Sequence, residues 1–165
     1  MSCLVRPSEA ATLAIHACAL MAAADGRALT TSQMAGSIGA SSAHLAKVLQ
    51  RLSHSGVVAG RRGPGGGFRL TAKPALVSLL RVYEAVDGRL GGSGCLMAVP
   101  MCTGAACPLA SLLGQVESRI AEGLSGVTLA DFGPAVTRAL AKRAARKPRD
   151  THERGSRTNS RKKGR

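Results

Sequence analysis

The chain has 165 residues, a length suited to one ordinary domain, and its 45% apolar content is enough to bury a core. Tyr83, Phe68 and Phe132 are its only aromatics, which argues against binders that stack single-stranded bases and against an aromatic-rich β-sandwich. The formal net charge of +14 points to a polyanionic partner.

Residues 10–24 imitate a signal-peptide core, but Glu9 precedes the run, His16 interrupts it and no basic cluster opens the chain. No run of 18 apolar residues is present to span a membrane, so a cytoplasmic setting is expected. Ser8 caps a predicted first helix running to about Ala24, with Leu13, Ala17, Leu20 and Met21 on one face. Thr30 and Gln33 form a capping box for a short second helix through Ile38, and Gly39 breaks the chain. Ser41 or Ser42 caps a third helix to about His54, terminated by Gly56. Two such helices joined by a tight glycine turn read as helix-turn-helix.

In the third helix Leu45, Val48, Leu49 and Leu52 follow the spacing of an inward face. His44, Lys47 and Arg51 share another face, suited to guanine edges and phosphates in a major groove. Val57–Gly60 and Phe68–Thr71 are short strand candidates, joined by a basic, glycine-rich tip. A nucleotide phosphate loop is disfavoured, because no GK[ST] follows and the tip leads into a strand. The fold class is therefore mainly α: a winged helix-turn-helix with a two-stranded β wing. The expected DNA contacts are Ser42, His44, Lys47 and Arg51 from the helix. From the wing they are Arg61, Arg62, Gly63, Pro64, Gly65, Gly66, Gly67 and Arg69.

Cys95, Cys102 and Cys107 follow, spaced C-x6-C-x4-C in an uncharged segment rich in Gly. Soft thiolates suit iron–sulphur clusters, zinc or copper(I), and zinc is disfavoured by the lack of C-x2-C pairs. Redox-active or unbound thiols remain open on the residues alone. Cys3 reads as a terminal thiol and Cys18 as a buried small hydrophobe. Cys107-Pro108 opens a further helix in which Leu109, Leu113, Val116 and Ile120 make an apolar seam for a partner helix.

The segment GRRGPGGGFRL (Gly60–Leu70) resembles the wing signature of the Rrf2 family of bacterial regulators, which includes IscR, NsrR and RirA. Met34–Val58, Val77–Gly88, Leu13–Ala22 and Val127–Phe132 continue the resemblance, which covers roughly residues 8–133. It implies a homodimer paired through a long dimerisation helix, a double-stranded DNA operator, and an iron–sulphur cluster (2Fe-2S or 4Fe-4S) on Cys95, Cys102 and Cys107. Ala110 stands where some relatives have a histidine, and Thr12 where some have a carboxylate; Glu9 and His16 are weak substitutes.

The expected organisation is a DNA-binding domain over 1–90, a cysteine loop over 91–107, and helices over 108–141. A basic tail over 142–165, read as disordered past about Ala145, holds eleven Lys or Arg against Asp150 and Glu153. The expected function is a DNA-binding regulator switched by a cluster, with no small-molecule substrate and no membrane partner. A metal-free regulator sensing by thiol oxidation is the alternative. An enzyme is disfavoured, because no C-x-x-C pair, dinucleotide fingerprint or nucleophile–base set is present.

Overall fold

A computed structural model describes residues 7–63, 65–90 and 107–146. Six α-helices, one short 3-10 helix (Pro74–Leu76) and one hairpin are described, in the order α1 (Glu9–Ala23), α2 (Thr31–Ile38), α3 (Ser42–His54), β1 (Val58–Arg61), β2 (Gly67–Leu70), the 3-10 helix, α4 (Leu79–Asp87), α5 (Pro108–Ser125) and α6 (Leu129–Arg146). The architecture is a mainly helical winged helix-turn-helix carrying one antiparallel two-stranded sheet.

Short-range hydrogen bonds set the helix starts. Ser8 accepts from Ala11 N–H, Ser41 from His44 N–H and Ser78 from Arg81 N–H. Thr30 and Gln33 complete the expected capping box. Thr128 and Asp131 reciprocate in the same way at the start of α6, and the Thr128 bonds hold the Asp131 carboxyl below its ordinary range. Each such cap is worth about 1 kcal/mol. Gly39 closes α2 in the left-handed conformation, at φ 79°, which a side chain rarely adopts.

The core is built around α1. Leu13, Ala14, Ala17, Cys18 and Met21 pack with Met34 of α2, Leu45, Leu49 and Leu52 of α3, Val82 of α4 and Leu129 of α6. One apolar face was expected for α1, but Ala11, Ile15 and Ala19 are buried as well. The reason is that α3 and α4 lie against some sides of it and α6 against another. Small alanines let these neighbours approach closely: Gly133 of α6 sits near Ala19 and Ala22.

Two boundaries differ from expectation. The strands pair Val58 with Leu70 and Arg61 with Gly67, one residue later and one earlier than predicted. Val57 is not in the ladder because its N–H donates to Leu52 O, closing the end of α3. Helix α6 runs on to Arg146, so residues 142–146 of the basic segment are helical. Cys3, Pro64, Cys95, Cys102 and residues 147–165 lie outside the described residues. Among the described residues no helix is long and apolar enough to cross a membrane.

Candidate nucleic-acid interface

Four apolar side chains orient α3: Leu45, Val48, Leu49 and Leu52 are each at most 2% exposed. At 100° per residue, the opposite side of the helix carries Ala43, Lys47, Gln50 and His54, all of them exposed. Ser42 stands exposed at the first turn. His44 and Arg51 lie on the flank and face the domain itself. His44 Nδ1 is 3.6 Å from Glu9 Oε1, at the start of α1. Arg51 Nη1 donates to Val86 O at 3.3 Å, in the last turn of α4. Ser8 donates to Asp87 at 2.7 Å beside them, so the start of α1 and the end of α4 meet along this flank. Of the three residues expected on the outward face, only Lys47 lies at its centre. Gln50, which was not among the expected contacts, stands exposed on the side opposite the leucines.

The wing is stitched to the rest of the domain by a third segment. Leu29 and Phe68 exchange both backbone hydrogen bonds, at 2.9 and 2.8 Å. Gly67 is required beside this pair: its φ is 143°, and a Cβ there would stand 2.6 Å from Leu29 O. At the tip Gly66 N–H donates to Gly63 O at 2.8 Å, with Gly65 exposed between them. Arg61, Arg62 and Arg69 are exposed along the hairpin. A further sequence feature accompanies this geometry. Residues 26–83, from before α2 into α4, contain eight Lys or Arg and no Asp or Glu. The helix-turn-helix and wing therefore carry positive charge without internal compensation, as a phosphate-facing surface requires.

Of the three grouped cysteines only Cys107 is described. It is the N-cap of α5 and half-buried, at the positive end of the helix. Cys18 is fully buried in the core, and burial pushes its thiol up to about 12. That keeps it protonated and apart from ligand chemistry. The first-helix groups have other partners: Glu9 is beside His44, while His16 Nδ1 lies 2.7 Å from Thr12 O and its ring edge meets Phe132. Among the described residues no group of three His, Cys, Asp or Glu is assembled to hold a metal.

Helix α5 rests on α4 and buries none of its residues 109–125. Leu109 and Leu112 are 47% and 56% exposed, continuous with half-buried Leu113, Val116 and Ile120.

Residues 8–134 match the family described as Rrf2, iron-dependent transcriptional regulator. The HTH-type transcriptional regulator IscR of Aliivibrio salmonicida is 33% identical over 94 residues, which are 57% of this chain and 56% of that protein. The chain thus spans little more than half the length of such relatives. The HTH-type transcriptional repressor NsrR of Streptomyces coelicolor is 32% identical over 109 residues, 66% of this chain and 74% of the repressor. Among solved structures, CymR of B. subtilis superimposes with a TM-score of 0.67 at 17% identity, covering 80% of this chain and 98% of its own. IscR of T. potens gives 0.65 at 20% identity, covering 82% and 91%. At those identities the structures speak for the fold, and it is the family match over most of the sequence that decides membership: the chain belongs to the Rrf2 family of transcriptional regulators.

Proposed function

We propose that the chain is a sequence-specific transcriptional regulator that binds double-stranded DNA as a homodimer, under the control of an iron–sulphur cluster on Cys95, Cys102 and Cys107. The observation that carries the DNA reading is that residues 26–83, which build α2, α3 and the wing, hold eight Lys or Arg and no Asp or Glu. Lys47, Gln50 and Ser42 would meet the major groove, and Arg62, Arg61 and Arg69 the adjacent minor groove, with the tip Gly63–Gly67 approaching the backbone. His44 and Arg51, bound to Glu9 and Val86, would hold the recognition helix at its angle.

The donor chemistry fits the cluster: three soft thiols lie within thirteen residues of an uncharged segment, and Cys107 stands at the N-cap position of α5. When bound, such a cluster supplies a redox- and iron-responsive link between these thiols. The protein's own part is transmission. The cysteine segment leaves α4 just after Gly88 and enters α5 at Cys107. Val86 O, at the end of α4, is held by Arg51 of the recognition helix. A change in where α4 ends is thereby felt by α3, and two half-sites at fixed spacing make affinity sensitive to that angle.

Arg62→Ala should weaken binding to an operator selected from randomised duplexes by about 1–3 kcal/mol with little change in stability, measured by fluorescence anisotropy at fixed salt. Wild-type affinity in that variant overturns the wing assignment. After anaerobic reconstitution the wild type should be coloured. Cys95→Ala, Cys102→Ala and Cys107→Ala should each lose the colour and alter operator affinity. A colourless wild type whose operator affinity responds to thiol oxidation replaces the cluster with a thiol switch.

A further inference from the structure

We propose that the cleft between α1, α2 and α6 is an effector site, which takes a small monocarboxylate with an apolar body and through it adjusts the recognition helix. The effector role rests on the DNA reading above; the binding site itself does not.

The cleft has a volume of about 430 Å³, room for about fourteen water-sized atoms at ~30 Å³ each and within the range of small-molecule sites. Segments far apart in sequence build it. Leu20 of α1 packs on the core yet stays half-buried, and Leu140 and Ala141 of α6 supply the facing apolar wall. On α2 the wall is left open. Gly36 lies inside that helix, where glycine is destabilising relative to alanine. A Cβ there would meet nothing within 4 Å, and Gly36 is not among the glycines at positive φ. Neither packing nor conformation within the protein therefore calls for glycine at this position. What the missing side chain provides is room in the cleft.

One end of the cleft is cationic. Arg143 Nη1 donates to Ile38 O at 3.0 Å, and a Cβ on Gly39 would stand 2.9 Å from Nη2. The guanidinium is thereby held on the turn of the helix-turn-helix, with its other N–H groups left for a ligand. Among the described residues no carboxylate pairs with it, and neither Asp nor Glu lines the cleft. The hydroxyls set the charge of the occupant. Ser37 Oγ donates to Gln33 O at 3.0 Å and Thr137 Oγ1 to Gly133 O at 3.1 Å, so both protons are directed at the backbone. Lone pairs face the cleft instead, and they disfavour a second anionic group beside the one that Arg143 receives. One carboxylate on Arg143, with an apolar body against Leu20, Leu140 and Ala141, matches every wall.

The same guanidinium links the site to DNA. Ile38 ends α2, three residues before Ser41, the N-cap of the recognition helix. A carboxylate on Arg143 draws on the group that holds Ile38, and so acts on the angle between α2 and α3. Operator affinity then shifts by as much as the ligand distinguishes the arrangements of that turn.

The test uses the full chain and octanoate as the probe, with octanol, octylamine and inorganic phosphate as controls. Calorimetry without DNA should show saturable binding of octanoate with a Kd of about 0.1–1 mM. Each control should bind at least roughly tenfold more weakly. Arg143→Gln should weaken octanoate by about tenfold or more and leave octanol unchanged. Gly36→Leu, which fills the cleft from an exposed helical position, should abolish binding while melting no lower than the wild type. Saturating octanoate should change wild-type affinity for the selected operator by about fivefold or more, and that of Gly36→Leu not at all. Absence of saturable octanoate binding, or binding that survives Gly36→Leu, overturns the site. Octanol or phosphate binding as tightly as octanoate overturns its chemical class. Displacement of octanoate as complete with random duplex as with operator would give Arg143 to a DNA phosphate in place of a small acid. Saturable binding with unchanged operator affinity overturns the effector role. If the wild type does not prefer operator over random duplex, the regulator reading fails, while the DNA-free calorimetry still decides the site by itself.

Discussion

Gly65 and Gly67 both sit at positive φ in the wing, 73° and 143°, but a side chain would meet different surroundings at each. At Gly65 nothing lies within 4 Å, so Gly65→Ala should cost only the left-handed backbone, about 1–2 kcal/mol. At Gly67 the new methyl group would collide with the Leu29 backbone and break the Leu29–Phe68 pair. Gly67→Ala should therefore cost about 2–4 kcal/mol, read from urea midpoints at constant slope. The reverse order would mean that Leu29 does not hold the base of the wing. The run GGGF was legible as a wing tip in the sequence. Why Gly67 cannot carry a side chain was not, because the Leu29 backbone that blocks it lies 38 positions away; at Gly66 the obstacles, Arg61 O and Gly63 O, are local.

Helix starts were readable because a cap is settled within four residues: Ser8, the Thr30–Gln33 box and Ser41 act as their sequence spacing indicates. The inward leucines of α3 were readable for the same reason of periodicity. The outward face was not, because a helical wheel says which residues oppose the core but not which flank meets α1 and α4. That distinction has measurable content. Gln50 is exposed and opposite the core, so Gln50→Ala should leave stability within about 0.5 kcal/mol and relax selection at one base pair by ~1–3 kcal/mol. Arg51 spends its guanidinium on Val86 O, so Arg51→Ala should lower stability by about 0.5–1.5 kcal/mol, discounted for exposure. Its effect on affinity should be spread evenly over operator positions. Loss of selection at a single position in Arg51→Ala, with stability intact, would return Arg51 to the groove.

At the scale of the molecule, α1 serves as the post around which the other helices are arranged. Helix α3 and the wing stand on one side of it, while α6 crosses it through Gly133 and Ala19. Contacts between residues more than a hundred positions apart leave no periodic trace, so the return of α6 to the helix-turn-helix, where Arg143 Nη1 donates to Ile38 O at 3.0 Å, was invisible in the sequence. Helix α5 is different: its apolar seam was readable, and none of its residues 109–125 is fully buried within this protomer, where it packs mainly on α4. Leu109 and Leu112 at 47% and 56% exposure cost solvation that a second copy of the seam would recover, at about 25 cal/mol per Å² covered. Leu109→Glu combined with Leu112→Glu should therefore convert the proposed dimer to a single chain of 16.8 kDa in sedimentation equilibrium. Because these side chains lie outside the core, far-UV circular dichroism should be unchanged, while the melting temperature should lose its dependence on concentration. Operator affinity should collapse toward the nonspecific level, since a lone protomer reaches one half-site and forfeits the fixed spacing of two. A double variant that still sediments as a dimer would place the interface elsewhere than on α5, and one that is monomeric with undiminished operator affinity would show that a single recognition helix and its wing suffice.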